Sequence, residues 1–194
     1  MTVALHLPER QEWTVDDLAE LPPDLPYELI NGRLVVPSPT ALHQWWCIRV
    51  VNALEEDCPP NYLVSLDQSL AIDWRNEPRP DVVAIRIEHL RTTPAPVAGC
   101  PLVVEILSPT STFRDLHEKA GVYARAGIDT YWVLDVLREK ITLTEYVLAD
   151  GKEYKLGVHT DEVFSTERPW PVTLDLPALS ERLAAMLAAE KPGD

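Results

Sequence analysis

Short apolar runs, rich in β-branched and aromatic residues, recur along most of this chain. Each has the length of a strand and is bounded by proline, glycine or charged residues, which indicates β-structure. The predicted strands are "NYLVSLDQSLAID" (one or two strands), "PDVVAIRI", "LVVEIL", "TYWVLDV", "KITLTEYVL" and "PVTLDL", with "GKEYKLG" as an extension. The pair Asn31-Gly32 in "YELINGRLVV" also predicts a tight hairpin, because both residues tolerate the positive φ angles of a type I′ turn.

Helical spacing interrupts the strands at four places. The predicted helices cover residues 15–20 (after an N-cap at Thr14), 41–57, about 113–126 and 176–190. The second helix has apolar residues at steps of three to four, which predicts an inner face of Trp45, Ile48, Val51 and Leu54 or Glu55. The order of elements predicts an α/β fold in which helices flank a mixed central β-sheet, with an N-terminal helix and β-hairpin and a C-terminal helix.

The composition fits one globular domain. The chain has 194 residues, of which 46% are hydrophobic, enough for a substantial core. We expect a single domain over residues 1–194, with a core at about 25–150 and further strands and a helix at 151–190. There is no apolar run of the roughly 18–20 residues that a membrane span needs, and the N-terminus lacks the pattern of a signal peptide.

Cysteine usage and charge narrow the function classes. Cys47, Cys58 and Cys100 are odd in number and widely spaced, which favours reduced thiols and a cytoplasmic location over a disulfide framework. The formal net charge of −14 speaks against broad, non-specific affinity for nucleic acid, which depends on neutralising phosphates. A local basic groove, or bound metal ions that supply positive charge, would remain compatible with it.

Glu105 is out of place in the apolar run Val103–Leu107, because an ionised carboxylate in a buried strand is costly without a partner. One candidate partner is Lys119 on the following helix, and the other is a metal ion. Lys119 lies on or beside the apolar stripe of that helix, formed by Leu116, Ala120, Tyr123 and Gly127. It could instead extend to solvent or pair with Asp115 four residues earlier.

A metal ion needs more than one oxygen ligand, and Asp81 offers a second. Pro80 suits the first residue of a strand, so that Asp81 would open the β-branched run "VVAIR" with its carboxylate able to face a cleft. Pro-Asp is also a common turn dipeptide. The combination of Pro-Asp, a loop, a strand with Glu105 and a nearby lysine carries more weight than the dipeptide alone.

Other chemistries find less support in the sequence. His43 is a lone histidine for which a structural and a catalytic role are both open, and the other histidines lack metal-ligand spacing. Ser108 and Ser111 are not in a G-x-S-x-G elbow, and the chain has no phosphate-binding glycine-rich loop. Trp45 and Trp46 could stack on nucleic-acid bases or belong to the core.

A Pro-Asp dipeptide followed by a Glu-x-Lys strand is the signature of the PD-(D/E)XK nuclease superfamily. Here Leu107 occupies the lysine position, but one branch, the Uma2 family, has its lysine on the following helix. The chain resembles that family almost end to end through "YELINGRLVV", "SPTALHQ", "RPDVVAI", "VVEILSPTSTFRDLHEKAGVYARAGIDTYWVLD" and "PVTLDLPAL". The long central block is specific to the family, whereas the short blocks are not.

The resemblance implies a restriction-endonuclease-like core and a role for each matching residue. Asp81 and Glu105 would bind Mg²⁺, with Mn²⁺ as a substitute, helped by the backbone carbonyl of Ile106. Lys119 would replace the strand lysine, orienting or activating the attacking water and offsetting phosphate charge. Glu28 would be the N-terminal acidic residue that completes such a site.

His43 and Asp115 match recurrent family positions and are expected to be accessory residues. The resemblance further implies a metal-dependent endonuclease that hydrolyses DNA phosphodiester bonds through a Mg²⁺-activated water. A homodimer would place two such sites on the two strands of a duplex. The alternative is a catalytically silent relative that keeps the fold as a binding or assembly module, which the net charge of −14 favours.

Overall fold

A computed structural model describes residues 10–22, 25–109 and 114–190. The described elements are, in chain order, a 3₁₀ helix Val15–Glu20, β1 (Glu28–Ile30), β2 (Arg33–Val35), α1 (Ala41–Glu55), β3 (Tyr62–Leu66), β4 (Leu70–Ala71), β5 (Val82–Arg86), a 3₁₀ helix Ile87–His89, β6 (Ala95–Pro96), β7 (Leu102–Ile106), a π-helix Arg114–Lys119, α2 (Ala120–Arg125), β8 (Thr130–Asp135), β9 (Thr142–Ala149), β10 (Glu153–Thr160), β11 (Val163–Thr166), β12 (Val172–Asp175) and α3 (Leu176–Glu190).

A six-stranded sheet in the order β10-β9-β8-β7-β5-β3 forms the centre of the molecule. β7 and β8 are parallel and the other neighbours antiparallel, so the predicted mixed sheet is confirmed. One face packs against α1, β12 and α3 through a cluster that includes Trp46 and Trp132. The other face packs against α2 through a cluster that includes Tyr123 and Tyr131. The result is a sheet covered on both faces, as the α/β prediction required.

β7 lies inside this sheet, and each of its five residues is buried. Val104 and Ile106 belong to the cluster on the α1 side, while Val103 belongs to the cluster on the α2 side. Because side chains alternate along a strand, Glu105 points towards the same face as Val103. The position of the strand therefore explains the continuous apolar run and places Glu105 under α2.

The N-terminal hairpin forms as predicted. Asn31 and Gly32 both have positive φ, 49° and 76°, and Ile30 pairs with Arg33 across the turn. At the start of the preceding 3₁₀ helix, Asp17 Oδ2 accepts hydrogen bonds from the Thr14 N–H at 2.8 Å and the Thr14 hydroxyl at 2.7 Å. These local features depend on residues close in sequence, which is why the pattern predicts them well.

The predicted inner face of α1 is correct only in part: Leu54 is buried, and Trp45 and Val51 are partly buried against the core. The buried residues are Trp46, Cys47, Val50 and Leu54, whereas Ile48 is 42% exposed. Apolar residues occur on more than one side of this helix, so their spacing alone did not determine which side meets the sheet. The helix also ends at Glu55, two residues before the predicted end at residue 57.

The segment before Gly127 departs from the predicted α-helix over residues 113–126. Residue 113 lies outside the described part of the chain, residues 114–119 are π-helical, and only Ala120–Arg125 is α-helical. Gly127 caps the helix with φ 79°, and Ile128 N–H donates to Tyr123 O at 3.2 Å, as in a Schellman motif.

Three further differences concern short elements and loops. The proline-rich loop predicted to be exposed contains β6 and buries Ala95 and Cys100. β11 was not predicted; it pairs with β12 outside the main sheet. β5 begins at Val82, so Pro80 and Asp81 precede the strand instead of opening it. Within the described residues, no helix is long and apolar enough to cross a membrane.

Candidate active site

A cleft of about 870 Å³ opens beside β5 and β7, between the β1–β2 hairpin and α1. Most of the side chains that the sequence singles out lie in its wall. The lining includes Glu28, His43, Asp81, Glu105, Ile106 and Lys119. The cleft therefore collects groups that are up to 91 residues apart in the chain.

Lys119 lies between two buried carboxylates. Its Nζ donates to Glu105 Oε1 and Oε2 at 3.0 and 2.9 Å and to Glu28 Oε1 at 3.1 Å. Lys119 is 3% exposed, Glu105 1% and Glu28 6%, so the lysine does not extend to solvent. An unpaired charge at such depth would be very costly, and here both carboxylates contact the single ammonium group.

The π-helix Arg114–Lys119 ends at the lysine itself. A π turn holds one residue more than an α turn and so changes which side chains face inward, and such turns are frequent at functional sites. Four residues later, Tyr123 O–H donates to Glu105 Oε1 at 2.6 Å. The helix thus delivers two hydrogen-bond donors, one charged and one neutral, to the same carboxylate.

Tyr123 is a functional candidate that the sequence analysis placed only in the apolar stripe. Burial, followed by the nearby Glu105 carboxylate, raises the pKa of Tyr123 well above its usual value. The phenol therefore stays protonated and serves Glu105 as a donor. The signal in the sequence is the spacing of four between Lys119 and Tyr123, which puts both side chains on one side of a helix.

Asp81 is brought to Glu105 by strand pairing. Val82 pairs with Val104 in the antiparallel register of β5 and β7, and one further step places Asp81 opposite Glu105. Ile106 N–H donates to Asp81 Oδ2 at 2.6 Å, which fixes the carboxylate at the end of β7. Asp81 and Glu105 therefore both line the cleft, the first from just before β5 and the second from β7.

His43 is bound on both sides of its ring. Nε2 lies 3.3 Å from Asp81 Oδ2, and Nδ1 lies 3.6 Å from Cys47 Sγ one turn later on α1. The hydrogen bond to Asp81, followed by that to Cys47, raises the pKa of His43 from 6.5 to about 11. At neutral pH His43 is therefore an imidazolium ion paired with Asp81. In the sequence, Cys47 is indistinguishable from an ordinary reduced thiol except for its spacing of four from His43, which puts both residues on one helix face.

The hairpin that carries Glu28 is anchored to a buried polar group. Leu29 exchanges two backbone hydrogen bonds with Glu77, at 3.1 and 2.9 Å. The Glu77 side chain is buried and accepts hydrogen bonds from Ser69 Oγ at 2.6 Å and Tyr27 O–H at 3.2 Å. These contacts hold β1 in place and so set the position of the neighbouring Glu28.

The remaining predicted residues divide into several groups. Ile106 contributes its N–H to Asp81, while the metal-ligand role of its carbonyl stays a prediction. Asp115 lies in the π-helix, but its side chain is outside the part of the chain that the structure describes. Trp46 is 1% exposed and belongs to the core, which excludes it as a stacking platform. Trp45 packs edge-on against it, with the Arg49 guanidinium 5.2 Å from the Trp45 ring centre.

The oxygen donors of this cleft fit a hard divalent cation. Asp81 and Glu105 both line the cleft, and Glu28 contacts the same lysine as Glu105. Among the described residues the contacts to Asp81 use Oδ2, so Oδ1 is the oxygen that it would offer to a metal. Three carboxylates carry three negative charges, and Lys119 and the His43 imidazolium carry two positive ones, so the formal charge of the site is about −1. A bound divalent ion would make that charge positive, which suits a negatively charged phosphate.

A mixed sheet with an acidic, lysine-containing cleft beside its central strands defines the restriction-endonuclease-like class of fold. The chain belongs to the Uma2 family, described as "Putative restriction endonuclease", whose model matches residues 15–186. The resemblance seen in the sequence is thereby confirmed.

A solved structure supports the fold. The chain is similar to a crystal structure from Anabaena variabilis, described as a "putative nuclease belonging to DUF820", with a TM-score of 0.62 and 18% identity. The similarity covers 87% of this chain and 97% of the other. No curated protein matches the sequence significantly.

Proposed function

We propose that the protein is a metal-dependent endonuclease that hydrolyses DNA phosphodiester bonds. The observation that carries the proposal is the position of Lys119 Nζ, within 3.1 Å of both Glu28 and Glu105 in the cleft that also contains Asp81. Membership of the Uma2 family, described as "Putative restriction endonuclease", supports the choice of reaction.

Asp81 and Glu105 would hold the metal, Mg²⁺ or Mn²⁺ as a substitute, together with the Ile106 carbonyl. When bound, Mg²⁺ supplies Lewis-acid stabilisation of the phosphoryl oxygens and lowers the pKa of a coordinated water. Carboxylates and a backbone carbonyl are the hard oxygen ligands that this ion prefers.

The protein's own side chains would have separate roles in this reaction. Tyr123 holds Glu105 by its hydrogen bond, and His43 with the Ile106 N–H holds Asp81, so both acids are preorganised. The Lys119 ammonium can exchange a carboxylate contact for a phosphate oxygen or the attacking water. A cation aimed at developing negative charge in a buried site stabilises the transition state.

A cleavage assay tests the proposal. Supercoiled plasmid and single-stranded DNA are incubated with the wild type in Mg²⁺ or Mn²⁺ and in EDTA. We expect metal-dependent nicking or linearisation, lowered about a hundredfold or more in Lys119→Ala because a charge-stabilising group is lost. Cleavage that persists in EDTA, or equal rates for wild type and Lys119→Ala, would contradict it.

The silent-module alternative is favoured by the net charge of −14 and by the pairing of Lys119 with two carboxylates, which serves structure as well as catalysis. A protein of this kind would show no metal-dependent stabilisation and no cleavage. Stabilisation of the wild type by Mn²⁺ that is lost in Glu105→Ala would support the nuclease.

Two further expectations from the sequence belong to this proposal. We propose a homodimer, because one domain with one site needs a second copy to cut both strands of a duplex. Light scattering after gel filtration that shows only monomer would contradict the dimer.

We also propose that residues 1–194 form one domain. A single cooperative unfolding transition, coincident by circular dichroism and tryptophan fluorescence, is then expected.

A further inference from the structure

A cysteine lies against the active-site cleft beside one of its acids. His43 and Cys47 are one turn apart on α1, and Asp81 faces the histidine from the start of β5. One donor atom from each of these three residues can be chosen so that all lie within 4.8 Å of one another. Among the described residues no other group of three histidine, cysteine or acidic side chains meets this condition.

The donor set differs in chemistry from that of the magnesium site. A thiolate, an imidazole and a carboxylate are typical ligands of Zn²⁺, whereas Mg²⁺ takes oxygen ligands. Bond lengths of about 2.0–2.3 Å in a tetrahedron place zinc ligands about 3.3–3.7 Å apart. The observed separations are 3.3 Å between His43 Nε2 and Asp81 Oδ2 and 3.6 Å between His43 Nδ1 and Cys47 Sγ.

A local adjustment and the release of two protons convert the triad into a ligand set, because a metal binds the neutral imidazole and the thiolate. The His43 imidazolium and the Cys47 thiol each give up one proton to the solvent when the ion binds. The two short contacts use different ring nitrogens, so His43 must turn to present one nitrogen to a shared ion. Three protein ligands leave the fourth tetrahedral position open, and the cleft lined by all three residues can supply a water or a phosphate oxygen there.

The triad shares Asp81 with the magnesium site but not Glu105. We propose that His43, Cys47 and Asp81 bind Zn²⁺, or a divalent ion of similar affinity for thiolate, and that the positive charge placed on Asp81 weakens Mg²⁺ binding at the neighbouring site. Zinc binding itself is independent of the proposed nuclease activity, whereas the resulting inhibition by zinc rests on it.

Co²⁺ is the probe for the binding step, because a cobalt–thiolate bond gives an intense near-ultraviolet charge-transfer band that oxygen and nitrogen ligands do not give. The reduced wild-type protein is titrated with Co²⁺ and then with Zn²⁺. We expect a thiolate band that saturates at one equivalent and disappears as Zn²⁺ displaces Co²⁺. Absence of the band in the wild type overturns the proposal.

Cysteine variants assign the band. Cys47→Ser should lose it and should weaken Zn²⁺ binding at least about tenfold, since even outer-shell changes cost that much. Cys58→Ser, a half-buried cysteine elsewhere, is the matched control and should keep the band. A band that persists in Cys47→Ser, or that disappears in Cys58→Ser, overturns the proposal. If circular dichroism finds Cys47→Ser unfolded, His43→Gln replaces it, with weakened Co²⁺ binding expected and unchanged binding contradicting the site.

Inhibition is measured separately, by titrating Zn²⁺ into the Mg²⁺-dependent cleavage reaction of each protein. Zn²⁺ should inhibit the wild type at concentrations at least about tenfold lower than it inhibits Cys47→Ser. Equal inhibition of the wild type and Cys47→Ser would overturn the proposal that zinc bound at this site inhibits cleavage. If the wild type cleaves no DNA, the proposed nuclease function fails, but the cobalt titration still decides whether zinc binds.

Discussion

Lys119 is the residue on which the charge balance of the cleft depends most. Replacing it by methionine keeps much of the side-chain volume but leaves Glu28 and Glu105 buried without their cation. Breaking a buried ion pair on one side costs about 3–5 kcal/mol of unfolding free energy. We therefore expect Lys119→Met to be destabilised by about this amount in urea unfolding at neutral pH.

The matched control is Lys155→Met, because the side chain of Lys155 is 73% exposed and its ion pair with Asp150 spans 4.0 Å. Such exposed pairs contribute little, so its stability should stay close to that of the wild type. A Lys119→Met protein as stable as Lys155→Met would contradict the buried ion pair.

Tyr123 supports Glu105 by one short hydrogen bond, so Tyr123→Phe removes that bond and little else. A hydrogen bond to a charged group contributes about 1.5–3 kcal/mol, and we expect a loss of stability in this range together with weaker Mn²⁺ binding. Tyr154→Phe is the control, since Tyr154 O–H donates to Ile128 O outside the cleft. It should lose stability without any change in Mn²⁺ affinity; equal effects of both variants on metal binding would refute the positioning role of Tyr123.

The pairing of His43 predicts a defined pH dependence. The pKa of His43 is raised from 6.5 to about 11 in the folded protein, so protonation favours the folded state. This contribution is fully present below the unfolded pKa of 6.5 and is lost as the pH rises from there through the folded value. The stability difference between wild type and His43→Gln should therefore shrink from pH 6 to pH 10. A difference that stays constant or grows over this range, measured by urea unfolding, would be inconsistent with the ion pair.

Charged residues in apolar surroundings were the part of the site that the sequence could reveal. Glu105 and Lys119 are conspicuous because each is a charged residue in a hydrophobic strand or helix face, where burial of an unpaired charge is costly. Tyr123 and Cys47 were not predicted as site residues. Tyr123 fits the apolar stripe of its helix, and Cys47 fits an ordinary reduced thiol. Which atoms meet across the cleft depends on tertiary packing, and no spacing in the sequence encodes the contact of Glu28 with Lys119.

At the scale of elements, the cap of α2 predicts opposite effects of two glycine substitutions. Gly127 has φ 79°, so Gly127→Ala strains the backbone even though a Cβ there would meet nothing within 4 Å. A loss of about 1 kcal/mol is expected. Gly121 lies inside α2, where alanine favours the helix by up to about 1 kcal/mol and a Cβ would approach only the end of Arg125, at 3.2 Å. Urea unfolding should show Gly127→Ala less stable than Gly121→Ala; the reverse order would refute the cap.

The strands inside the sheet were predicted best, because burial on both faces leaves continuous apolar runs such as β7. The buried face of α1 was predicted less well, because apolar residues occur around much of this helix. Packing against the sheet determines that Trp46 and Val50 are the buried ones. The π-helix Arg114–Lys119 could not be foreseen either, because local propensity does not distinguish an i→i+5 ladder from an α-helix. Tertiary contacts decide these features.

At the scale of the whole molecule, the net charge of −14 must be reconciled with the proposed DNA substrate, which is itself negatively charged. The structure concentrates Lys119 and the His43 imidazolium in one cleft, where they offset two of the three carboxylates. A divalent ion would make the cleft locally positive while the remaining surface stays acidic. Recognition of DNA would then depend on the loaded metal site, not on a broad basic surface.

The most direct test of the account is metal binding, because the proposed reaction and the charge balance of the cleft both depend on it. Mn²⁺ is titrated by calorimetry into wild type, Glu105→Gln and the control Asp67→Asn, whose exposed carboxylate lines the same cleft but is bound to Arg79. The account predicts saturable binding by wild type and Asp67→Asn, with stabilisation by about 2.7 kcal/mol at a hundredfold excess over Kd, and a loss of both in Glu105→Gln. No binding by the wild type, or equal binding by Glu105→Gln, would contradict it.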